Sequence, residues 1–159
     1  MKKTGKLLAV LLAAVMLVSV AVLFSSCGKK RTATTAENFT NTLQNDGFTV
    51  QDVTAETQGS EITDNIIVAK NSDELQIEAY FFKNSSDAVA SFNRNKSNAE
   101  SDGSGTESSV SLGNYMRYKK TANDKVYLFS LIDNTMLYCV TDSANAEKAE
   151  QIFETLGYK

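Results

Sequence analysis

From residue 36 onward, apolar positions recur with two periods that predict an alternation of helices and strands. Phe39 and Leu43 stand four apart behind Thr34-Thr35-Ala36-Glu37, which has the spacing of a capping box, and Gly47 suits a C-cap, predicting a helix over 36–46. Strand patterns follow at 48–53, 65–70 and 74–82. In the third, Leu75, Ile77, Ala79 and Phe81 share one face, with Gln76 and Glu78 opposite. Ser85 or Ser86 can cap a second helix that turns Ala88, Val89 and Phe92 inward and fades near Asn98. Residues 98–109 are polar and rich in Gly and Ser, the pattern of a mobile surface loop. A strand pattern resumes over 110–120, with Gly113 as a candidate bulge.

The best-specified element lies at 125–141, where two apolar runs flank Asp133-Asn134, residues that tolerate positive φ in a tight hairpin. A two-residue loop pairs Leu131 with Met136, Phe129 with Tyr138 and Tyr127 with Val140 on the expected core face. Leu128, Ser130, Leu137 and Cys139 fall on the other face, which is also largely apolar, so the hairpin should sit centrally with cover on both sides. A closing helix over 144–156 presents Ala149, Ile152, Phe153 and Leu156 ahead of Gly157. The expected fold is α+β: one domain over 36–159, a mostly antiparallel sheet of about six strands, three helices packed on it, and the order αβββαβββα. The closing helix loosely echoes the first (Ala-Glu, Phe, Leu, then Gly and an aromatic), which admits a duplicated unit beside the simpler single-sheet reading.

Ahead of the domain, Lys2, Lys3 and Lys6 precede an apolar stretch over 7–24 broken by one hydroxyl, Ser19: an export segment. Its length reaches the lower limit of a membrane span, and three cations flank it on each side, so neither length nor charge separates a cleaved leader from a retained anchor. The run Leu23-Phe24-Ser25-Ser26-Cys27-Gly28 resembles the lipobox of bacterial lipoproteins, with Phe24 where Leu is more usual. The resemblance implies that residues 1–26 are a signal peptide cut between Ser26 and Cys27. It also implies that Cys27 carries a diacylglyceryl group joined by further acylation such as palmitate, and that residues 27–35 form the lipidated start and a short tether. The chain would then sit on the outer face of the cell membrane. Two or more acyl chains, at about 0.8 kcal/mol per buried methylene, make such residence long-lived. The hairpin and the final Leu156-Gly157-Tyr158 are also similar to small lipoproteins of low-GC Gram-positive bacteria, a match that carries no functional residues.

Charge narrows the partners. The 16 Lys and Arg include three in the export segment, so the mature chain would carry 13 cations against 19 anions. That acidic balance argues against nucleic acid, which needs clustered cations. The basic run at 29–31 lies beside the lipid site, where contact with anionic headgroups is the plain expectation.

Chemistry is sparse. The chain has no His, which removes the commonest general base, the Ser-His and Cys-His couples and any His-containing zinc site. With Cys27 acylated, Cys139 has no partner for a disulfide, and its apolar setting predicts a buried thiol. The run Asn98-x-Glu100-x-Asp102-Gly103 opens like a calcium loop but has Ser109 where a bidentate acid is needed, so no metal is expected. No acidic pair has an apolar setting, and no phosphate-binding or nucleophile motif is present, so neither cofactor nor catalysis is expected. Tyr115, Tyr118, Tyr127 and Tyr138, in the last strands, are the candidate interaction surface, weighed against ordinary sheet packing. The expected role is a non-catalytic, membrane-anchored module that binds a protein or envelope component through its sheet face or the 98–109 loop. The alternative is a small-ligand carrier with a pocket between sheet and helices.

Overall fold

The structure, a computed structural model, describes residues 30–57 and 61–159. Cys27, Ser26 and the apolar run before them lie outside the described residues. Helix α1 (Ala36–Asn45) leads to strands β1 (Thr49–Asp52), β2 (Thr63–Lys70) and β3 (Gln76–Phe82). Helix α2 (Ser85–Ser101) follows, then β4 (Thr106–Leu112), β5 (Tyr115–Ala122), β6 (Lys125–Ile132), β7 (Thr135–Asp142) and α3 (Ala146–Thr155). All strands form one antiparallel sheet of order β1-β2-β3-β7-β6-β5-β4.

The fold class is α+β as expected, with seven strands in place of six. The extra strand, β4, covers the end of the expected loop 98–109 and the start of the strand expected over 110–120: α2 continues to Ser101, only 102–105 lie between elements, and β4 begins at Thr106. Gly113 is a turn and not a bulge, because Leu112 pairs with Tyr115 around Gly113-Asn114. Gly105 permits β4 to join the sheet, since a Cβ there would lie 2.1 Å from the Thr121 carbonyl oxygen. The β6–β7 register is the expected one, including Leu131 with Met136, Phe129 with Tyr138 and Tyr127 with Val140.

Helix ends differ in detail. Thr35, one residue later than the capping-box spacing places it, is the N-cap of α1 and accepts from the Asn38 amide at 3.1 Å. Asn84, not a serine, caps α2, accepting from the Asp87 amide at 2.9 Å. Both α1 and α3 close with paired backbone bonds around a left-handed glycine. Phe48 donates to Leu43 and Gly47 to Gln44; Tyr158 donates to Phe153 and Gly157 to Glu154. The echo between these helices is therefore a shared ending. A duplication would relate the halves by a twofold axis that exchanges β3 and β7 and preserves the sheet's faces. Yet α1 and α2 pack on opposite faces.

The sheet has a core on each side. On one, Phe39 and Leu43 of α1 and Ala149, Ile152 and Phe153 of α3 pack on Ile77, Leu128, Leu137 and Cys139. On the other, Ala88, Phe92 and Ala99 of α2 cover Tyr118, Phe129 and Leu131. The face of Leu128, Ser130, Leu137 and Cys139 thus carries the larger core, and both faces of the hairpin are interior. Ser130 is tolerated there because its hydroxyl donates to the Tyr158 carbonyl at 3.1 Å. Cys139 is fully buried, and burial pushes its thiol up to about 12, which keeps it protonated and unreactive near neutral pH.

Candidate functional site: an aromatic row on the half-covered face

On the α2 side of the sheet, aromatic rings run across successive strands. The centroids of Tyr118 (β5) and Phe129 (β6) are 5.9 Å apart, and those of Phe129 and Tyr138 (β7) are 4.9 Å apart, nearly parallel at 6°. Tyr138 meets Tyr80 (β3) edge-on at 6.5 Å, and Tyr80 stacks on Phe82 at 6.1 Å. Strand alternation produces the row, because directly paired residues project from the same face, and such pairs favour aromatic contact.

Helix α2 covers only part of it. Tyr118 and Phe129 lie beneath the helix and are buried, whereas Tyr80 and Tyr138 remain half-buried. Beside them Val68 and Val140 are also half-buried, and Glu78 and Gln76 extend the row along β3. The Tyr80 hydroxyl donates to Glu78 Oε2, and Gln76 Nε2 donates to Glu78 Oε1 at 2.7 Å. Burial first, and then the Glu78 charge, push both the Tyr80 and Tyr138 phenols above their ordinary range, so both stay neutral. Next to the row, a groove of about 210 Å³ opens between α2 and the sheet, lined by Ile62, Ile66, Tyr80, Phe82, Arg94 and Met136. The arrangement offers flat apolar area, neutral phenols and an oriented carboxylate. It is suited to stacking and hydrogen bonding.

The four tyrosines expected to form a recognition surface do not form one. Tyr115, Tyr118 and Tyr127 are buried, and Tyr115 belongs to the opposite core. Their strands are central or flanked by helices, so ring burial wins over display. Only Tyr138 belongs to the half-open patch, together with Tyr80, Glu78 and Gln76, which sequence reasoning left out. The available signal was the alternation of β3: the face carrying Gln76 and Glu78 continues through Tyr80 and Phe82, and so is mixed rather than simply polar.

Other groups are structural. Arg117 and Lys119 converge on Glu150 of α3 at 3.2 and 2.5 Å, fastening that helix to β5. A second hollow, about 340 Å³, lies between α1 and α3 on the outer surface, where Asp46 and Lys148 pair at 2.5 Å. Among the described residues, no three Cys, Asp or Glu side chains gather closely enough to hold a metal ion, and no helix is long and apolar enough to cross a membrane.

No protein-family model matches this chain. No curated protein matches it either. Among solved structures, it is similar to a GTP binding regulator from Thermotoga maritima, at 11% sequence identity and a TM-score of 0.48, over 77% of this chain and 87% of that one.

Proposed function

We propose that the chain is a lipid-anchored extracytoplasmic module, held on the outer face of the membrane through diacylglyceryl-Cys27, that binds a protein or envelope component without catalysing a reaction. The binding surface is the patch of Tyr80, Tyr138, Glu78 and Gln76. Support comes from one observation: an aromatic row that α2 covers at one end and leaves half-open at the other. The carrier alternative needs space between sheet and helices. On the α1 and α3 side Phe39, Phe153 and Tyr158 fill that space, and on the α2 side the groove beside the aromatic row offers about 210 Å³, less than the roughly 300–1,000 Å³ of usual ligand pockets.

Two measurements test the two halves of the reading. Metabolic labelling with a fatty acid should mark the wild-type chain and not Cys27→Ala; equal labelling removes the anchor. A photo-crosslinking amino acid at Tyr138 in intact cells should give a discrete adduct that the same group at Glu37, exposed on α1, does not. Identical patterns from both positions remove the proposed surface.

A further inference from the structure

The N-terminal segment is fastened to one end of the sheet. Asn114, in the β4–β5 turn, grips the main chain of Arg31 both ways: the Arg31 amide donates to Asn114 Oδ1 at 3.0 Å, and Asn114 Nδ2 donates to the Arg31 carbonyl at 2.8 Å. The Arg31 guanidinium lies 3.8 Å from the centre of the Tyr115 ring and donates to the carbonyls of Gly157, at 3.4 Å, and Lys159. The Thr34 amide donates to the Tyr158 hydroxyl at 3.3 Å. Residues 31–35, expected as tether, are therefore part of the folded domain, and Arg31 is turned onto the protein instead of outward.

This leaves a very short leash. Cys27 and Arg31 are four Cα steps apart, at most about 15 Å. A strand the length of β4 spans roughly 23 Å, so position 27 cannot reach the far end of the sheet.

At the near end, Leu112 and Val110 are exposed, at 57% and 47%, on the same face as Tyr115. The charges around them balance locally: Lys30 pairs with Asp133 at 3.8 Å and Lys159 with Glu154 at 2.7 Å. Charge does not separate the two ends of the sheet: the near end also holds Asp52, Glu61, Asp64 and Asp87 farther along it, and the far end holds Asp73, Glu74, Asp102, Asp124 and Asp142 against Lys70 and Lys125. The short leash and the exposed apolar pair distinguish the near end, and the locally paired charges beside that pair leave it acceptable to an anionic bilayer.

Resting on the lipoprotein reading, we propose that the β4–β5 end of the sheet is a bilayer-contact surface, with Leu112 and Val110 entering the headgroup region beside the anchor. The contact fixes the domain's orientation. The strands stand away from the membrane, the β5–β6 turn points outward, and the Tyr80–Tyr138 face is presented sideways to a partner.

The test uses the full lipidated protein in vesicles of phosphatidylethanolamine and phosphatidylglycerol carrying a headgroup quencher. A fluorophore is placed at Ser111→Cys or, at the far end, Ser72→Cys; both sites are exposed and Cys139 is buried. Quenching at 111 should exceed that at 72 by about threefold or more, and adding Val110→Ser with Leu112→Ser should cut the excess by about half. Vesicle flotation is read in parallel. Protein that floats but quenches equally at both sites, or ignores the double substitution, overturns the contact surface and leaves the anchor standing. Protein that does not float overturns the anchor, and this proposal with it.

Discussion

Lys120→Met tests how α2 ends. Like α1 and α3, this helix is followed by a left-handed glycine, Gly103, but the backbone bond that closes it runs only from the Asp102 amide to the Ala99 carbonyl, without the paired bonds of the other two. In their place the ammonium of Lys120, 3% exposed on β5, donates to the carbonyls of Ala99 at 2.7 Å, Glu100 at 3.1 Å and Gly103 at 2.6 Å. A cation at a helix C-terminus satisfies acceptors that the helix itself leaves open and complements its dipole. Methionine preserves much of the stem and removes the donors. Losing one partner of a charged hydrogen bond costs about 1.5–3 kcal/mol, but only the contact to Ala99 is fully buried, and the part-buried carbonyls of Glu100 and Gly103 can rehydrate. Relief from burying an ammonium offsets part of the remainder. The net expectation is a loss of about 2–3 kcal/mol. With a urea slope of about 1–3 kcal/mol/M for a domain of this size, the unfolding midpoint followed by circular dichroism should fall by roughly 0.7–3 M. Hydrogen exchange should quicken first in the last turn of α2. A midpoint that moves by less than about 0.3 M, or rises, would refute the claim that this lysine holds the helix end in place.

Gly105→Ala should destabilise the protein by about 2 kcal/mol or more, because the new methyl collides with the Thr121 backbone; faster exchange confined to β4 would show the edge strand lifting away. Stability should be level from about pH 5 to about pH 9 and decline above it, as measured by denaturant midpoints. Cys139, pushed up to about 12 by burial, and Tyr80, Tyr118 and Tyr158, also raised chiefly by burial, hold their protons when folded and release them sooner when unfolded. For the same reason Cys139 should resist iodoacetamide until the protein unfolds. Glu150→Gln should cost about 1 kcal/mol. The hydrogen bond from Lys119 holds that carboxyl below its ordinary range, so its contribution is present above about pH 4.5 and fades in acid, where wild type and variant should converge.

What the sequence made legible was local. The β6–β7 register followed from Asp133-Asn134 and the runs beside it, because a two-residue turn leaves one pairing. The Gly47 and Gly157 endings followed from residues within one helical turn of each other. What failed depended on distant neighbours. Strand β4 has every residue exposed, so it carries no inward face and no alternation to read, and only its pairing with β5 makes it a strand. Arg31 looked like one of three cations beside a lipid site, and its actual partners lie 83 to 128 positions away. Lys120 closed a strand pattern without announcing that it also closes a helix. The aromatic row has the same origin. Tyr138 was assigned correctly by pairing with Phe129, but its neighbour Tyr80 lies on β3, and the β3–β7 contact joins the two halves of the chain across α2. No turn links those strands, so no short-range signal sets their register. The patch proposed for binding therefore arises where the sequence is least informative, at the seam between two separately readable meanders.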